Sequence, residues 1–133
     1  MISTTTRQIV LDTETTGMNK LGVHYEGHRI IEIGAVEVIN RRLTGRNFHV
    51  YIKPDRLVDP EAYGVHGISD DFLADKPNFD QVAEEFLDFI RGGELVIHNA
   101  AFDIGFMDHE FLMLQQGIPK TETFCTITDS LLM

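Results

Sequence analysis

Apolar and polar residues alternate along the first half of the chain in a way that predicts β-strands. Residues 8–11, Gln-Ile-Val-Leu, are a short, mainly apolar run typical of a central strand buried on both faces. Residues 30–39 alternate and predict a second strand, and residues 47–53 predict a third. A turn at 41–45 contains a glycine, which favours a hairpin between them. The first half therefore predicts an antiparallel meander.

The second half changes to a helical period. Apolar residues recur every three or four positions in 79–90, and two glycines at 92–93 end that helix. Residues 95–97 predict a short buried strand, residues 104–114 a second helix, and residues 123–128 a last strand. Helices and strands in this order indicate an α/β domain of three layers with a mixed sheet.

Three shorter signals concern the segments between and after these elements. Pro54 and Pro60 bound a loop that leads into the sequence EAYGVHG. Ser69, followed by two aspartates, is a candidate N-cap of a short helix. Asp129 has the same character at the start of another helix, with no signal for its end. We therefore expect that residues 1–133 are one incomplete domain, truncated at its C-terminus.

Composition narrows the class of protein. The chain is 43% apolar and has one cysteine, Cys125, which excludes an internal disulfide and fits a reducing compartment. No apolar run is long enough to cross a membrane, and we expect a soluble, cytoplasmic domain without a membrane partner. The net charge of −10 argues against a broad basic surface for nucleic acid. It leaves open a small site in which carboxylates hold cations against a phosphate.

Candidate chemistry begins where the first strand ends. Asp12 and Glu14 are two residues apart, so their side chains point to the same face at a spacing of roughly 6.5–7 Å. Two such carboxylates can share a pair of cations about 3.5–4 Å apart, the arrangement that cleaves phosphodiesters. Thr15, Thr16 and Gly17 follow and offer amides, hydroxyls and a close backbone approach to a substrate. The alternative interpretation is a solvated acidic turn.

A third carboxylate follows the predicted strand at 95–97. Asp103 stands near the start of the next helix, at the same edge of the sheet as the first two acids. The structural alternative is that Asp103 only caps its helix.

Both acidic segments together resemble a known family. IVLDTETTG at 9–17 and HNAAFD at 98–103 are similar to the first two motifs of the DEDD 3′→5′ exonucleases. The similarity extends along essentially the whole chain to the branch of that family that proofreads for bacterial replicative polymerases, through HYEGHRIIEIGAVEV, YIKPDRLVDPEAYGVHGI and GIPKTETFC. The resemblance implies an RNase H-like fold with helices on both faces of the sheet. It also implies removal of mispaired nucleotides from a primer 3′ end during DNA replication.

The resemblance also implies roles for particular residues. Asp12, Glu14 and Asp103 would be catalytic and would bind two divalent ions, Mg²⁺ or Mn²⁺, which suit oxygen ligands. The residues that would contact the 3′-terminal nucleotides are Asp12, Glu14, Thr15, Thr16, Gly17, Leu57, Glu61, Val65, His66 and Phe102. From the residues alone, the favoured interpretation of Glu61 and His66 is that they are solvated loop residues, and Phe102 is equally well interpreted as a core aromatic.

One part of the family pattern is missing from these 133 residues. The family continues with a histidine, which acts as general base, and, after four intervening residues, a fourth aspartate. His109 is followed at that spacing by Leu114, and Asp129 has no histidine five residues before it. Two earlier segments, 66–71 and 98–103, have a histidine and an aspartate at this spacing, but they lie before or within the second motif, so we treat these matches as accidental. We therefore predict no general base in this chain and poor activity for it alone.

The resemblance also suggests partners and leaves two alternatives open. The expected partners are a single-stranded DNA 3′ end, a small theta subunit that binds the exonuclease domain, and the polymerase alpha subunit, bound through a C-terminal region absent from this chain. The first two motifs do not distinguish DNA from RNA, so an RNA-trimming exonuclease is one alternative. A non-catalytic docking module of a polymerase assembly is the other.

Overall fold

The structure, a computed structural model, describes residues 6–114 and the strand at 125–127. Its elements, in chain order, are β1 Arg7–Thr15, β2 Ile30–Ile39, β3 Arg42–Tyr51, α1 Pro60–His66, α2 Asp70–Leu73, α3 Phe79–Ile90, β4 Glu94–Ile97, α4 Ala100–Met113 and β5 Cys125–Ile127. The strands form one sheet in the order β3-β2-β1-β4-β5. β1 is antiparallel to β2, β2 to β3, and β4 is parallel to both β1 and β5. The predicted mixed sheet is therefore confirmed.

β1 is the central strand, but the prediction that it is buried on both faces is wrong. Ile9, Leu11 and Thr13 are buried on one face, whereas Val10 on the other face is 39% exposed. The strand also runs to Thr15, four residues further than the apolar run, because its pairing with β2 continues beyond that run. A short apolar run thus marked the middle of a longer alternating strand.

The two long helices pack on the buried face of β1. α3 has the bounds predicted from its period, and Asn78 and Gln81 form a capping box at its start. α4 begins at Ala100, four residues before the prediction. Both helices contribute phenylalanines to one core cluster with Ile9 and Leu11. The two short helices, α1 and α2, contribute to a second, smaller buried cluster of Ile31, Val58, Ile68 and Leu73, with Ala62 packed against it. No helix of this part of the chain is long and apolar enough to cross a membrane.

The β2–β3 hairpin turns earlier and more tightly than predicted. Ile39 pairs with Arg42, so the loop is two residues, Asn40 and Arg41, and not the five residues at 41–45. Both loop residues have positive φ, 50° and 71°, as a type I′ turn requires. Gly45, also at positive φ, instead lies within β3, near a shift in the β2–β3 register.

The segment around EAYGVHG, which follows the predicted loop and for which no element was predicted, is a helix. Pro60 occupies the first turn of α1, and Gly67 ends the helix in the left-handed conformation. Ser69 caps α2 as predicted, since its hydroxyl accepts from the Phe72 amide at 3.0 Å. The last strand is confirmed at 125–127, within the wider predicted range, and the helix predicted to start at Asp129 lies outside the described residues.

A buried ion pair joins α4 to the start of β2. The Glu110 side chain is 1% exposed and accepts hydrogen bonds from Arg29 Nε at 3.0 Å and Arg29 Nη2 at 2.8 Å. The Ile30 amide also donates to it, at 2.9 Å. Arg29 reaches Asp55 as well, at 3.0 Å. A carboxylate this deeply buried is stable only while these donors remain.

We expect Glu110→Gln to lower the free energy of unfolding by about 3 kcal/mol, because the substitution removes the buried charge that compensates Arg29. Urea denaturation should show a lower midpoint with an unchanged slope. Glu84→Gln, on the exposed side of α3, is the matched control and should change the midpoint little. Equal midpoints for the two variants would contradict this role for Glu110.

Candidate active site

Three carboxylates gather at the carboxyl end of β1. Asp12 and Glu14 lie on the partly exposed face of the strand, opposite Gly34 and Glu32 of β2. β4 runs parallel to β1, and the short turn after it leads directly into α4. Asp103 lies in the first turn of α4. The topology therefore brings the two acidic motifs to one edge of the sheet, as the sequence predicted.

Asp103 does not cap its helix, so the alternative interpretation is wrong. Asp103 is 3% exposed, and its Oδ1 accepts a hydrogen bond from the Thr13 hydroxyl rather than from a backbone amide of the helix. Burial raises the pKa of Asp103 to about 7; the hydrogen bond from Thr13 opposes this shift, and the charges of Asp12 and Glu14 add to it. Asp103 is thus a carboxyl group that pays a large desolvation cost when it ionises.

Neighbouring negative charge also affects Glu14. Partial burial, followed by the charge of Asp12, raises the pKa of Glu14, and Glu32 on the adjacent strand adds to the effect. Glu14 and Asp103, whose pKa values neighbouring carboxylate charge helps to raise, are stabilised by a cation placed between them. The site therefore favours cation binding electrostatically.

The donor chemistry fits hard divalent cations. Asp12, Glu14 and Asp103 offer carboxylate oxygens, the ligands that Mg²⁺ and Mn²⁺ prefer. Within residues 6–114, however, no three His, Cys, Asp or Glu side chains converge as a ready-made metal site. Asp12, Glu14 and Asp103 would supply the anionic ligands of a bound cation.

A cavity of about 250 Å³ opens beside Glu14, between the end of β1, α1 and the start of α4. Its lining contains most of the residues predicted to contact substrate: Glu14, Thr15, Gly17, Glu61, Val65, His66 and Phe102, together with Thr13, Met18, Lys20, Asp59 and Ala62. Asp12 lines an adjacent groove on the same sheet face. Leu57, 71% exposed, lines neither.

Thr16 does not line the cavity either, because its side chain is buried and forms hydrogen bonds with residues 28 and 29. Thr16 is fully buried, and its hydroxyl is 3.0 Å from His28 Nδ1 and accepts from the Arg29 amide at 3.1 Å. A Cβ at Gly17 would lie 2.6 Å from Asp59 Oδ2, and Gly17 has a φ of +149°. Only glycine fits there, which lets the loop fold back tightly after Thr15.

His66 is held by both ring nitrogens. The Ile68 amide donates to His66 Nδ1 at 3.0 Å, so that nitrogen carries no proton. The proton is therefore on Nε2, which donates to the Thr15 carbonyl at 3.0 Å. His66 ties α1 to the end of β1 and presents its ring, rather than a free nitrogen, to the cavity. It is a helix residue and not the solvated loop histidine of the alternative interpretation.

Three residues that line the cavity were not predicted from the sequence as site residues. Thr13 points away from Asp12 and Glu14 and was overlooked for that reason, although strand alternation already directs it toward the interior. Asp59 precedes Pro60, a pattern that could have indicated the start of α1. Lys20 lies in an irregular loop, where nothing in its neighbours predicts its position.

The fold and the acidic site together define a nuclease-type domain, and comparison with known proteins identifies its class. A family model described as an exonuclease, RNase_T, matches residues 9–132. The chain belongs to this exonuclease family, which confirms the resemblance drawn from the two motifs.

Two curated relatives from different bacteria carry the name of the same polymerase subunit. The chain is 76% identical over 131 residues to DNA polymerase III subunit epsilon of Escherichia coli strain K12, an alignment that covers 98% of this chain and 54% of the relative. It is 67% identical over 127 residues to the subunit of the same name from Haemophilus influenzae, with 96% and 49% covered. The chain thus spans about half the length of the curated relatives it matches.

Solved structures agree with the fold. Exonuclease X in complex with 5′ overhanging duplex DNA is 31% identical, with a TM-score of 0.58 over 72% of this chain and 51% of that one. Exonuclease I in complex with the inhibitor BCBP has a TM-score of 0.76 at 18% identity, over 95% of this chain and 29% of that one. The second similarity supports the RNase H-like fold alone.

We expect Asp103→Asn to stabilise the metal-free protein at pH 8. The folded state holds the Asp103 proton up to a pKa of about 7, whereas the unfolded chain loses it near its ordinary value of 3.8. Asp103 therefore costs stability progressively as pH rises from about 4 to about 7, and above pH 7 the full cost, about 4 kcal/mol, is present. Asparagine keeps an acceptor for Thr13 without that cost.

Thermal unfolding at pH 4.5 and pH 8, with and without Mn²⁺, measures both effects. Asp103→Asn should unfold at a higher temperature only at pH 8 without metal, and Mn²⁺ should stabilise it less than the unsubstituted chain. Asp108→Asn, on the exposed side of the same helix, should behave like the unsubstituted chain. A destabilised Asp103→Asn at pH 8 would show that the ionised carboxylate is already compensated.

Proposed function

We propose that this chain is the metal-binding part of a 3′→5′ exodeoxyribonuclease that removes mispaired 3′-terminal nucleotides during DNA replication. The observation that carries the proposal is the gathering of Asp12, Glu14 and the buried Asp103 at one sheet edge, beside a cavity. The high identity to polymerase III epsilon subunits supports DNA replication as the setting.

Asp12, Glu14 and Asp103 would hold two divalent cations, Mg²⁺ or Mn²⁺. Such ions, when bound, neutralise phosphate charge and lower the pKa of water, which are the two needs of phosphodiester hydrolysis. Asp103 would contribute strongly, because a cation compensates the charge of a carboxylate whose ionisation burial otherwise disfavours. Thr13 would orient that carboxylate through its hydrogen bond.

The cavity beside Glu14 would receive the 3′-terminal nucleotide. At about 250 Å³ it is smaller than the roughly 300–1,000 Å³ of sites for drug-sized ligands, which suits one nucleotide rather than several. Phe102 and the ring of His66 would flank the base or sugar, and Val65 would offer an apolar edge. Thr15 and Gly17 would approach the sugar with their backbone, while Glu61 would accept from a sugar hydroxyl. Leu57 and Thr16 are left out, because neither lines the cavity.

The general base is assigned to no residue of this chain. His66, which lines the cavity, has both ring nitrogens engaged and is poorly suited to accept a proton from water. We therefore expect the chain to be a weak nuclease by itself, working as part of a polymerase assembly in the cytoplasm. In that assembly the theta and alpha subunits are the expected partners, and a single-stranded DNA 3′ end is the expected substrate.

Purified chain should shorten a DNA primer with a mismatched 3′ end slowly, and only with Mg²⁺ or Mn²⁺. The rate should be about 10²–10⁴-fold below that of a complete proofreading subunit, because a positioned base typically contributes that factor. Asp12→Asn should remove the residual activity, since it removes a charged metal ligand. Gel analysis of 5′-labelled primers measures both.

Asp80→Asn, an exposed carboxylate at the start of α3, is the matched control and should not change the rate. Shortening that persists with EDTA or in Asp12→Asn would contradict the metal mechanism. A rate near that of a complete proofreading subunit would contradict the inference that this chain lacks a general base. Preferential cleavage of an RNA 3′ end would favour the RNA-trimming alternative. Binding to theta by a chain without nuclease activity, unchanged in Asp12→Asn, would favour the docking alternative.

A further inference from the structure

The charge balance of the cavity points to one cation that the proposed mechanism has not used. Among the described residues that line the cavity, Lys20 is the only lysine or arginine, while Glu14, Asp59 and Glu61 are acidic. A DNA strand brings further negative charge to this place. Cations held by the carboxylates would compensate that charge at the sheet edge, whereas on the α1 side Lys20 is the only described lining residue that does so, since Arg56, which pairs with Asp59 at 2.6 Å, does not line the cavity.

Lys20 forms an ion pair with Glu61, which also lines the cavity. Its Nζ lies 2.7 Å from Glu61 Oε1 and 2.9 Å from Oε2, and the two residues belong to different elements, a loop and α1. Their side chains are 64% and 76% exposed, so the pair contributes little to stability and opens at low cost. An ammonium has three donors, and at least one remains for another acceptor while Glu61 is bound.

The loop that carries Lys20 is anchored on both sides of this position. The Asn19 amide donates to the His24 carbonyl at 2.8 Å, which closes a turn around Lys20. His24 then stacks on Phe102, with ring centroids 5.1 Å apart, and its Nε2 lies 3.1 Å from the Phe102 carbonyl oxygen. The loop therefore spans from the end of β1 to α4 and holds Lys20 beside the same cavity that Phe102 lines.

We propose that Lys20 is a substrate-binding residue that contacts a backbone phosphate near the 3′ end of the strand. The proposal rests on the function proposed above, because it assumes that the cavity receives the terminal nucleotide. Lysine is a compact, hydrated charge suited to phosphate, and a phosphate oxygen can take the remaining donor or replace a carboxylate oxygen of Glu61. Lys20 thus adds affinity without taking part in bond cleavage.

The salt dependence of binding tests this role. The probe is a short, 5′-fluorescein-labelled oligothymidylate with a phosphorothioate at its 3′-terminal linkage, and the protein is the 133-residue chain with Mg²⁺. Fluorescence anisotropy across a series of NaCl concentrations gives the slope of log K against log[NaCl]. Each phosphate contact of a single strand contributes about 0.7 to the magnitude of that slope.

Lys20→Gln should bind about threefold to tenfold more weakly at low salt and should reduce the slope by about 0.7. Lys20→Arg, which keeps the charge, should retain the slope. Lys53→Gln is the matched control: it removes the same charge at a residue that lines a different cavity, and its slope should not change. Because Lys20 is exposed, the thermal unfolding temperatures of all variants should agree.

An unchanged slope in Lys20→Gln would overturn the proposal for Lys20 and leave the proposed function intact. Tighter binding in Lys20→Gln would also overturn it, since the ion pair with Glu61 would then only obstruct the cavity. If the unsubstituted chain did not bind the oligonucleotide at all, both the proposed role of Lys20 and the proposed function would be contradicted.

Discussion

The Asp103 carboxylate lies in the protein interior, accepts a hydrogen bond from Thr13 and faces the charges of Asp12 and Glu14. This burial requires three parts of the fold at once. β1 must direct Thr13 inward and the two acids outward, β4 must run parallel to β1, and α4 must start directly after β4. The site is therefore unfavourable for the isolated protein and favourable for a cation, because a cation relieves the desolvation and the repulsion together.

The same electrostatics are compatible with the proposed action of an acidic protein on a polyanion. With a net charge of −10, the chain has no broad attraction for a DNA backbone. In the proposed function, affinity comes from a few localised positive charges: cations held by the carboxylates, and Lys20 at the mouth of the cavity. Contact is then confined to the 3′ end, where specificity for a terminus is needed. Binding along the rest of the strand gains little.

Much of the secondary structure could be predicted from local patterns. β2 and α3 have the predicted bounds, because each is long and strongly periodic. The predictions of secondary structure were wrong or incomplete where the periodic pattern was short, or where the backbone conformation determined the position of a turn. The hairpin turns at Asn40 and Arg41 because two residues at positive φ match the twist of the strands, and the more obvious Gly45 drew attention away. α1 was missed because seven residues with two glycines nearby show little period, although Pro60 suits a first turn.

By itself, the sequence determined the family and the two acidic motifs, because their residue types and spacing along single strands and turns are local properties. It also indicated that Asp12 and Glu14 share a face. Only the tertiary structure decided that Asp103 is buried rather than a cap, that His66 has no free nitrogen, and that Lys20 reaches Glu61. Each of these depends on residues from separate elements, and burial and ion pairing between such elements leave no periodic signal along the chain.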